Sequence, residues 1–446
     1  SAPSQLQVLW KHYLGKGTTR VGSKVKIWKG AGWTGQPLLV KENGKLYLIQ
    51  GAYDHHLKKI DAQTGNLVWQ YQFDDVIKGT GSIWLNHQAD SLHHFGLILQ
   101  GSRAGKSIYS TTIPSYRAIS LSNGQEVWRL NSVPTLSYSR DVDGSALIWK
   151  DTAYLGLENS IWTIFNPDPD SIGFRQSLWQ PQIWRQRDTL YRPSDYRRQG
   201  RNLVTEASPT LLGERVYIPS GAGRIWGYHR QLDSLDWMYF VGSDIDGSAV
   251  VTADSCLLVT IEKQYIAGRG GLLKLNPQRP PYQAAEWFLP TQNEPFALWD
   301  GGIIGSAAVN TAYKANSEIP NLAAVQGIDG YLYVVDTDQT KDSLPQPTYH
   351  PDTLLPQPNI VFQHYVGPSI ATPIFVHDKL ITTGSKGIHL FERDSTGQFF
   401  LREKVNIRCE STPVVHQGRM YVASRNGYLY CFGEIDSTAL SPTLSQ

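Results

Sequence analysis

Four carboxylate side chains occupy equivalent positions in this sequence, each directly before a small residue that is followed by Ser or Thr. They are Asp143 before Gly144-Ser145-Ala146, Glu206 before Ala207-Ser208-Pro209, Asp246 before Gly247-Ser248-Ala249, and Glu410 before Ser411-Thr412-Pro413. If the fold brings them together, the carboxylates repel, so some must take up a proton, pair with a basic side chain or hold a cation. Calcium suits such a set because it prefers oxygen ligands. The alternatives are a ligand or partner role and a purely structural one, since Asp also forms turns by bonding local N–H groups.

The tripeptides after these carboxylates belong to a repeat that runs through the chain. A small residue, then Ser, Thr or Gln, then Ala, Pro or Ile, occurs eight times at spacings of 40 to 66 residues. The other four copies are Gly35-Gln36-Pro37, Gly81-Ser82-Ile83, Gly305-Ser306-Ala307 and Ala371-Thr372-Pro373. Periods near 40–50 residues are typical of propeller blades. The residue before each copy is then expected at the channel mouth, in a ring of Thr34, Thr80, Asp143, Glu206, Asp246, Ile304, Ile370 and Glu410.

Each copy is followed by short apolar strands separated by tight turns, with the period-2 alternation of half-buried strands. A fourth strand carries a large aromatic residue after a turn, most clearly at Trp69 and Trp128, and more weakly at Trp179, Trp237, Trp287, Phe362 and Phe400 or Leu401. The eighth copy has only three strands, and the N-terminal segment with Trp10 supplies the fourth. We therefore predict an all-β fold: a single eight-bladed β-propeller over residues 1–434, with four antiparallel strands per blade. Residues 6–12 close the last blade, which leaves no open sheet edge, and residues 435–446 form a polar tail.

The segments from Asp61 to Trp69 and from Asn123 to Trp128 carry a turn glycine followed by Trp, and they resemble the quinoprotein-type (PQQ-like) β-propeller repeat. This repeat is shared by outer-membrane assembly scaffolds of the BamB kind and by quinoprotein alcohol dehydrogenases. The resemblance covers nearly the whole chain, although blades three to seven match loosely. It implies the propeller fold; one fold hosts many functions, so it does not select between a scaffold and an enzyme.

Composition and charge exclude some classes of function. The net charge of +2 does not indicate nucleic-acid binding, and no apolar run approaches the length of a membrane span. Cys256, Cys409 and Cys431 are expected to be buried apolar side chains, with a Cys409–Cys431 bridge as the alternative. Residues 1–5 have the character of the trimmed start of a mature chain, and the resemblance implies an exported protein, periplasmic or outer-membrane-associated. We expect it to be a monomer. A lipid anchor stays open.

Long inserts are predicted on the channel face, where loops of this length are often functional. They are residues 11–33 with Trp28 and Trp33, residues 185–201 with Tyr191, Arg192 and Arg197, and residues 290–303 with Trp299. Aromatic side chains interleaved with Arg can stack on sugars or bases and pair with carboxylates or phosphates. The candidate ligand-binding residues are Asp143, Glu206, Asp246, Glu410, Arg140, Trp28, Trp33, Tyr191, Arg192, Arg197 and Trp299. The alternative is that these loops only cover the propeller face.

The sequence favours a non-catalytic binding or scaffold propeller of the cell envelope, which engages a protein partner or ligand through its channel-face loops. One alternative is a glycan- or small-molecule-binding propeller, which the clustering of Trp28, Trp33, Tyr191 and Trp299 around one pocket would favour. The other is an enzyme: a PQQ- and calcium-dependent dehydrogenase, or a propeller enzyme acting on saccharides. PQQ is disfavoured because many family dehydrogenases carry adjacent cysteines, and this chain has none. No catalytic residue and no cofactor are assigned, with calcium kept as an option.

Overall fold

Eight four-stranded antiparallel sheets form the blades of a propeller in a computed structural model of the chain. The structure describes residues 1–33, 35–86, 96–105, 110–314 and 318–434. The predicted eight-bladed fold is confirmed, including the pairing of an N-terminal strand with the last blade. Thr34, at one expected ring position, and the polar tail lie outside the described residues.

In blades 1 to 7 the strands run from the channel outwards in chain order, and in blade 8 the N-terminal strand lies outermost. The bounds of the strands are as follows. Blades 1 and 2 comprise Leu38–Glu42, Lys45–Gly51, His56–Asp61 and Leu67–Gln72, then Ser82–Leu85, Gly96–Gly101, Tyr116–Ser120 and Glu126–Leu130. Blades 3 and 4 comprise Leu147–Trp149, Thr152–Gly156, Ile161–Asn166 and Gln182–Thr189, then Thr210–Leu212, Arg215–Ser220, Arg224–His229 and Ser234–Phe240. Blades 5 and 6 comprise Val250–Val251, Leu257–Ile261, Gly271–Leu275 and Ala285–Pro290, then Ala308–Val309, Leu322–Gln326, Tyr331–Thr340 and Pro358–Tyr365. Blades 7 and 8 comprise Ile374–Val376, Lys379–Gly384, Gly387–Arg393 and Phe399–Val405, then Val414–His416, Arg419–Ala423, Tyr428–Gly433 and Gln7–Tyr13.

Elements outside the blades are few and short. The described ranges contain three inserted hairpins, formed by Lys16–Val21 with Lys24–Lys29, Gly173–Arg175 with Leu178–Gln180, and Gln346–Pro347 with Leu354–Leu355. An α-helix spans Pro193–Gln199, and 3-10 turns span Pro169–Ser171, Pro281–Gln283 and Thr311–Tyr313. None of the described helices has the length and apolar character needed to cross a membrane.

The tripeptide repeat has a structural reason, because its hydroxyl groups join neighbouring blades around the channel. The N–H of Ser145 donates to Ser208 Oγ at 2.9 Å, and the N–H of Ser208 donates to Ser248 Oγ at 2.9 Å. The same bond continues from Ser248 to Ser306, from Ser306 to Thr372, and from Thr372 to Thr412. Gln36 continues the circle, with its side chain donating to the Pro413 carbonyl and its N–H to Thr80 Oγ1. The Ser145 hydroxyl donates to the Thr80 carbonyl at 2.8 Å, which closes it. Ser or Thr at these positions therefore satisfies the backbone N–H groups of residues that line the channel just before the inner strands.

At two blade junctions the aromatic residue of the outer strand packs on the turn glycine of the next blade. A Cβ added to Gly124 would lie 2.7 Å from the Trp69 ring, and one added to Gly65 would lie 2.7 Å from Trp10. Trp69 also donates its indole N–H to the Leu121 carbonyl at 3.2 Å. Trp10 belongs to blade 8 and Gly65 to blade 1, so the contact that joins blades 1 and 2 also joins the last blade to the first.

The assignment of Trp179 to this aromatic position is wrong. Trp179 lies in the inserted hairpin of blade 3, is 56% exposed and packs on Phe174. Arg185 takes the position instead, at the bulge of the outer strand, and its guanidinium pairs with Asp188 and Asp233. The predicted insert at residues 185–201 is correspondingly shorter, because its first five residues belong to this strand.

The hydrophobic core lies between the blades. One cluster joins Tyr217 and Trp237 of blade 4 to Leu257, Val259 and Leu273 of blade 5, and the other pairs of neighbouring blades are joined in the same way. All three cysteines are buried and unbridged. The apolar core therefore packs against both faces of each sheet. The loops between blades are not part of this core and are available to carry a site.

Candidate functional site at the loop face

A cavity of about 780 Å³ occupies the channel. Asp143, Glu206 and Asp246 line it near the face that carries the blade-to-blade loops, called here the loop face. His377 and His416 line it at the turns of the opposite face. Three of the four predicted carboxylates therefore meet in one space, at the inner ends of blades 3, 4 and 5.

Three further carboxylates lie behind this lining and enlarge the set. The carboxylate oxygens of Asp143, Glu158 and Glu206 lie within 4.8 Å of one another, as do those of Asp244, Asp246 and Glu262. Glu158 and Glu262 follow the second strands of blades 3 and 5 and are 2% and 1% exposed. The six side chains are called here the channel carboxylates.

Burial and mutual repulsion hold these groups away from ordinary ionisation. Burial, and then the charge of Asp246, raises the pKa of Glu206 to about 8. Burial raises the pKa of Asp244 and of Asp246 to about 7 each, with further contributions from Glu206 and from Asp244 respectively. The pKa values of Asp143, Glu158 and Glu262 are raised for the same reasons. The site thus favours bound protons or cations over bare carboxylates.

Lys78 is the basic side chain that reaches the channel carboxylates. It is 8% exposed and forms an ion pair with Asp143. Gly79 permits this approach, since a Cβ there would lie 1.8 Å from the Asp143 carbonyl oxygen. Burial alone would lower the pKa of Lys78, but Asp143, Glu206 and Glu158 raise it well above its ordinary value. Lys78 is therefore a fixed positive charge at this end of the channel.

Two of the remaining ring positions, Ile304 and Ile370, make one side of the mouth apolar. Ile304 and Ile370 of blades 6 and 7 form an apolar cluster against which Trp33 and Trp299 pack. The Trp33 indole N–H donates to Glu206 Oε2 at 3.1 Å, and its ring lies 5.8 Å from that of Trp299. Trp33 thus spans the mouth from the acidic side to the apolar side, with Lys78 Nζ 4.7 Å from its ring centre.

The other predicted site residues do not join this cluster. Arg140 is buried and donates to the carbonyl oxygens of Ser132 and Ser110. Glu410 pairs with Arg408 and Arg425.

Trp28 and Tyr191 also lie apart from the mouth. Trp28 packs on Tyr53, while Tyr191 is buried with Leu203 and Ala222. The clustering of four aromatic residues that would favour a glycan site is thus limited to Trp33 and Trp299.

An exposed surface of tyrosines and arginines lies beside the mouth, where three loops meet. Tyr138 and Arg201 are joined by a backbone hydrogen bond of 3.0 Å. Asn202 donates to the Tyr265 hydroxyl at 3.1 Å and to Asp244 Oδ2 at 3.0 Å, which connects the surface to the channel carboxylates below. The exposed members, called here the tyrosine–arginine patch, are Leu136, Tyr138, Tyr196, Arg197, Arg201 and Tyr265. Arg192, exposed at the start of the helix, stacks over Trp226 at its edge.

Sequence reasoning missed Lys78, Glu158, Asp244 and Glu262. One signal was available: Asp141-Val142-Asp143-Gly144-Ser145-Ala146 recurs as Asp244-Ile245-Asp246-Gly247-Ser248-Ala249, and a Glu follows at nearly the same distance in both copies. Lys78 had no such signal, because its role depends only on contact with a neighbouring blade.

Comparisons with known proteins agree with the fold. No protein-family model and no curated protein matches this sequence. Among solved structures, BamB from Moraxella catarrhalis is similar, with a TM-score of 0.56 and 14% identity over 96% of this chain and 100% of that one. At this identity the similarity shows a shared propeller fold.

Proposed function

We propose that this protein is a non-catalytic binding propeller of the cell envelope, which engages a protein partner through the tyrosine–arginine patch on its loop face. The observation that supports the proposal is the patch itself. Tyr138, Tyr196 and Tyr265 are 48%, 41% and 47% exposed, and they stand on loops held by hydrogen bonds to one another and to the blades.

The composition of the patch is that of binding hot spots. Tyr and Arg are enriched among residues that dominate protein–protein affinity, because they combine a large contact area with polar groups at the tip. The loops are also pre-organised: the helix Pro193–Gln199 is tied to blade 4 by a buried Asp195–Arg224 pair. A surface that is already ordered loses little entropy on binding.

The charge of the patch selects the partner chemistry. Arg197 and Arg201 are exposed to solvent, whereas the nearby carboxylates of Asp195 and Asp244 are buried and hydrogen-bonded. The outward-facing charge is therefore positive, so the expected partner surface is acidic, with apolar or aromatic groups between its charges.

The experiment compares this patch with a matched surface on the opposite face. The photo-crosslinking residue p-benzoylphenylalanine replaces Tyr138 in one variant and Tyr282, which is 83% exposed, in another. In cells that express the protein, crosslinking from position 138 is expected to yield one dominant adduct with another protein. Crosslinking from position 282 is expected not to yield that adduct. Adding Arg197→Ala and Arg201→Ala should weaken that adduct at least tenfold, while Arg279→Ala on the opposite face should leave it unchanged.

Equal adducts from both positions, or an adduct indifferent to the two arginines, would refute the proposal. The glycan alternative is tested in parallel with Trp33→Phe and Trp299→Phe. Oligosaccharide binding that these variants abolish, with no protein adduct, would assign the site to carbohydrate instead.

A further inference from the structure

Blades 3 and 5 hold two copies of one carboxylate arrangement, and the two copies differ in how their charge is balanced. In blade 3 the copy consists of Asp141, Asp143 and Glu158; in blade 5 it consists of Asp244, Asp246 and Glu262. In each, two aspartates precede the inner strand and the glutamate follows the second strand. The copies therefore serve as internal references for each other.

The blade 3 copy is neutralised by side chains of the protein. Lys78 pairs with Asp143, and Arg103 Nε lies 2.9 Å from Asp141 Oδ2. Two basic groups thus offset three carboxylates in a buried setting, where an unbalanced charge is costly.

The blade 5 copy has no such balance within the part of the chain that the structure describes. No basic side chain there forms an ion pair with Asp244, Asp246 or Glu262. Lys263, the next residue after Glu262, turns away and donates to the Ile266 carbonyl. Among the described residues, the donors to the Asp244 carboxylate are two neutral groups, the Ile245 N–H and the Asn202 amide.

Buried oxygen atoms without hydrogen-bond donors point to what is missing. Glu262 is 1% exposed, and its Oε2 has no hydrogen-bond partner. Oxygens of Asp143 and Glu158 in blade 3 also lack hydrogen-bond donors, but there the ion pair of Lys78 with Asp143 supplies a positive charge. Thr260, two residues earlier and fully buried, likewise has a hydroxyl without a partner. Its oxygen lies against Gly247, where a Cβ would come within 2.0 Å of it. The residue of blade 3 that corresponds to Thr260 is Gly156, so this additional oxygen is specific to the blade 5 copy.

We propose that Asp244, Asp246 and Glu262 bind a divalent, oxygen-seeking cation of the calcium type. Their oxygens lie within 4.8 Å of one another, a spacing compatible with ligands about 2.3–2.6 Å from one central calcium ion. The ion supplies the positive charge that Lys78 and Arg103 provide in blade 3. Asp246 lines the channel cavity, which gives the ion a path to the site.

The test uses the full-length protein after dialysis against EDTA, titrated with CaCl₂ and, separately, MgCl₂ by isothermal titration calorimetry. One calcium ion per chain is expected, and at 100 times the dissociation constant it should raise Tm by about 2–3 °C. The decisive pair of variants is Glu262→Gln and Glu158→Gln, the same isosteric change at corresponding positions. Glu262→Gln should weaken calcium binding at least 100-fold, whereas Glu158→Gln should alter it less than threefold.

Folding of the variant is controlled by thermal melting in EDTA. Glu262→Gln removes a buried acidic group, so without calcium it should melt at or above the wild-type temperature. Loss of binding in a folded Glu262→Gln variant supports the site. Absence of calcium binding by the wild type would overturn the proposal and assign the charge balance of blade 5 to bound protons. Loss of binding only in Glu158→Gln would overturn it and assign the ion to blade 3. Equal loss in both variants would also overturn it.

Discussion

The variant Lys78→Met should be less stable than the wild-type protein by about 3–5 kcal/mol, the typical cost of removing one partner of a buried ion pair. Methionine keeps much of the length and apolar stem of lysine, so the change isolates the charge. Lys78 is 8% exposed, and its ammonium group contacts Asp143 with Glu158 and Glu206 nearby. Without it, the buried carboxylates of Asp143 and Glu158 and the half-buried one of Glu206 face one another with no ion pair to a basic side chain of the described residues.

The assay is thermal unfolding in EDTA at pH 7.5. For 446 residues, 1 kcal/mol corresponds to about 1 °C in Tm, so the expected decrease is about 3–5 °C. Lys274→Met is the matched control: this lysine is also buried, but the side chains of its partners Asp254 and Glu286 are 43% and 22% exposed. Water can solvate those carboxylates after the lysine is lost, so the control should cost about 1–2 kcal/mol.

A double-mutant cycle then separates charge from packing. Asp143→Asn removes the carboxylate that Lys78 contacts, so the double variant should be more stable than the sum of the two single effects predicts, by about 1–3 kcal/mol. The penalty of Lys78→Met should also shrink at pH 5.5. The pKa values of Asp143 and Glu158 are raised in the folded protein, so stability is highest where they are protonated and is lost as pH rises. Additive effects with the same penalty at both pH values would refute this electrostatic reasoning.

Three further predictions concern the framework. Gly124→Ala should cost about 1–3 kcal/mol in urea unfolding, because residue 124 has a φ of +73° and its Cβ would meet Trp69; an unchanged midpoint would contradict the packing role of the turn glycine. Ser248→Ala should cost about 1–2 kcal/mol by leaving the Ser208 N–H without its acceptor, whereas Ser248→Thr should retain most of the stability. Burial lowers the pKa of His389 to about 4 from an ordinary value of 6.5, so the unfolded chain binds this proton more readily and stability is lost as pH falls through that window. The loss approaches about 3 kcal/mol, and His389→Leu should remove it; an unchanged pH profile of Tm in that variant would show that another group is responsible.

The fold could be predicted from the sequence because its signals are local and repeated. Strand alternation, turn glycines and the Ser/Thr tripeptides each lie within a few residues of chain, and eight copies make a weak pattern reliable. The missing strand of the eighth copy, together with Trp10 at the other end of the chain, sufficed to predict the closure. Trp179 shows the limit: an inserted hairpin placed an aromatic residue at the expected spacing, while the bulge of the true outer strand carries Arg185.

The candidate site was predictable only in part. The ring positions identified Asp143, Glu206 and Asp246, since each adjoins a tripeptide of the repeat. Glu158 and Glu262 lie in another part of the repeat and become neighbours of these residues only when the strands pair.

The sequence by itself thus determined the number of blades, the closure of the ring and the placement of carboxylates on its inner edge, since these follow from hydrogen-bonding and packing patterns that repeat along the chain. Only the tertiary structure decided that Lys78 balances one carboxylate group, that the counterpart of this group in blade 5 has no basic partner among the described residues, and that Tyr138, Arg201 and Tyr265 form one surface. These properties depend on distances between side chains of different blades, and the electrostatic energy of a buried charge is set by those distances and by the exclusion of water.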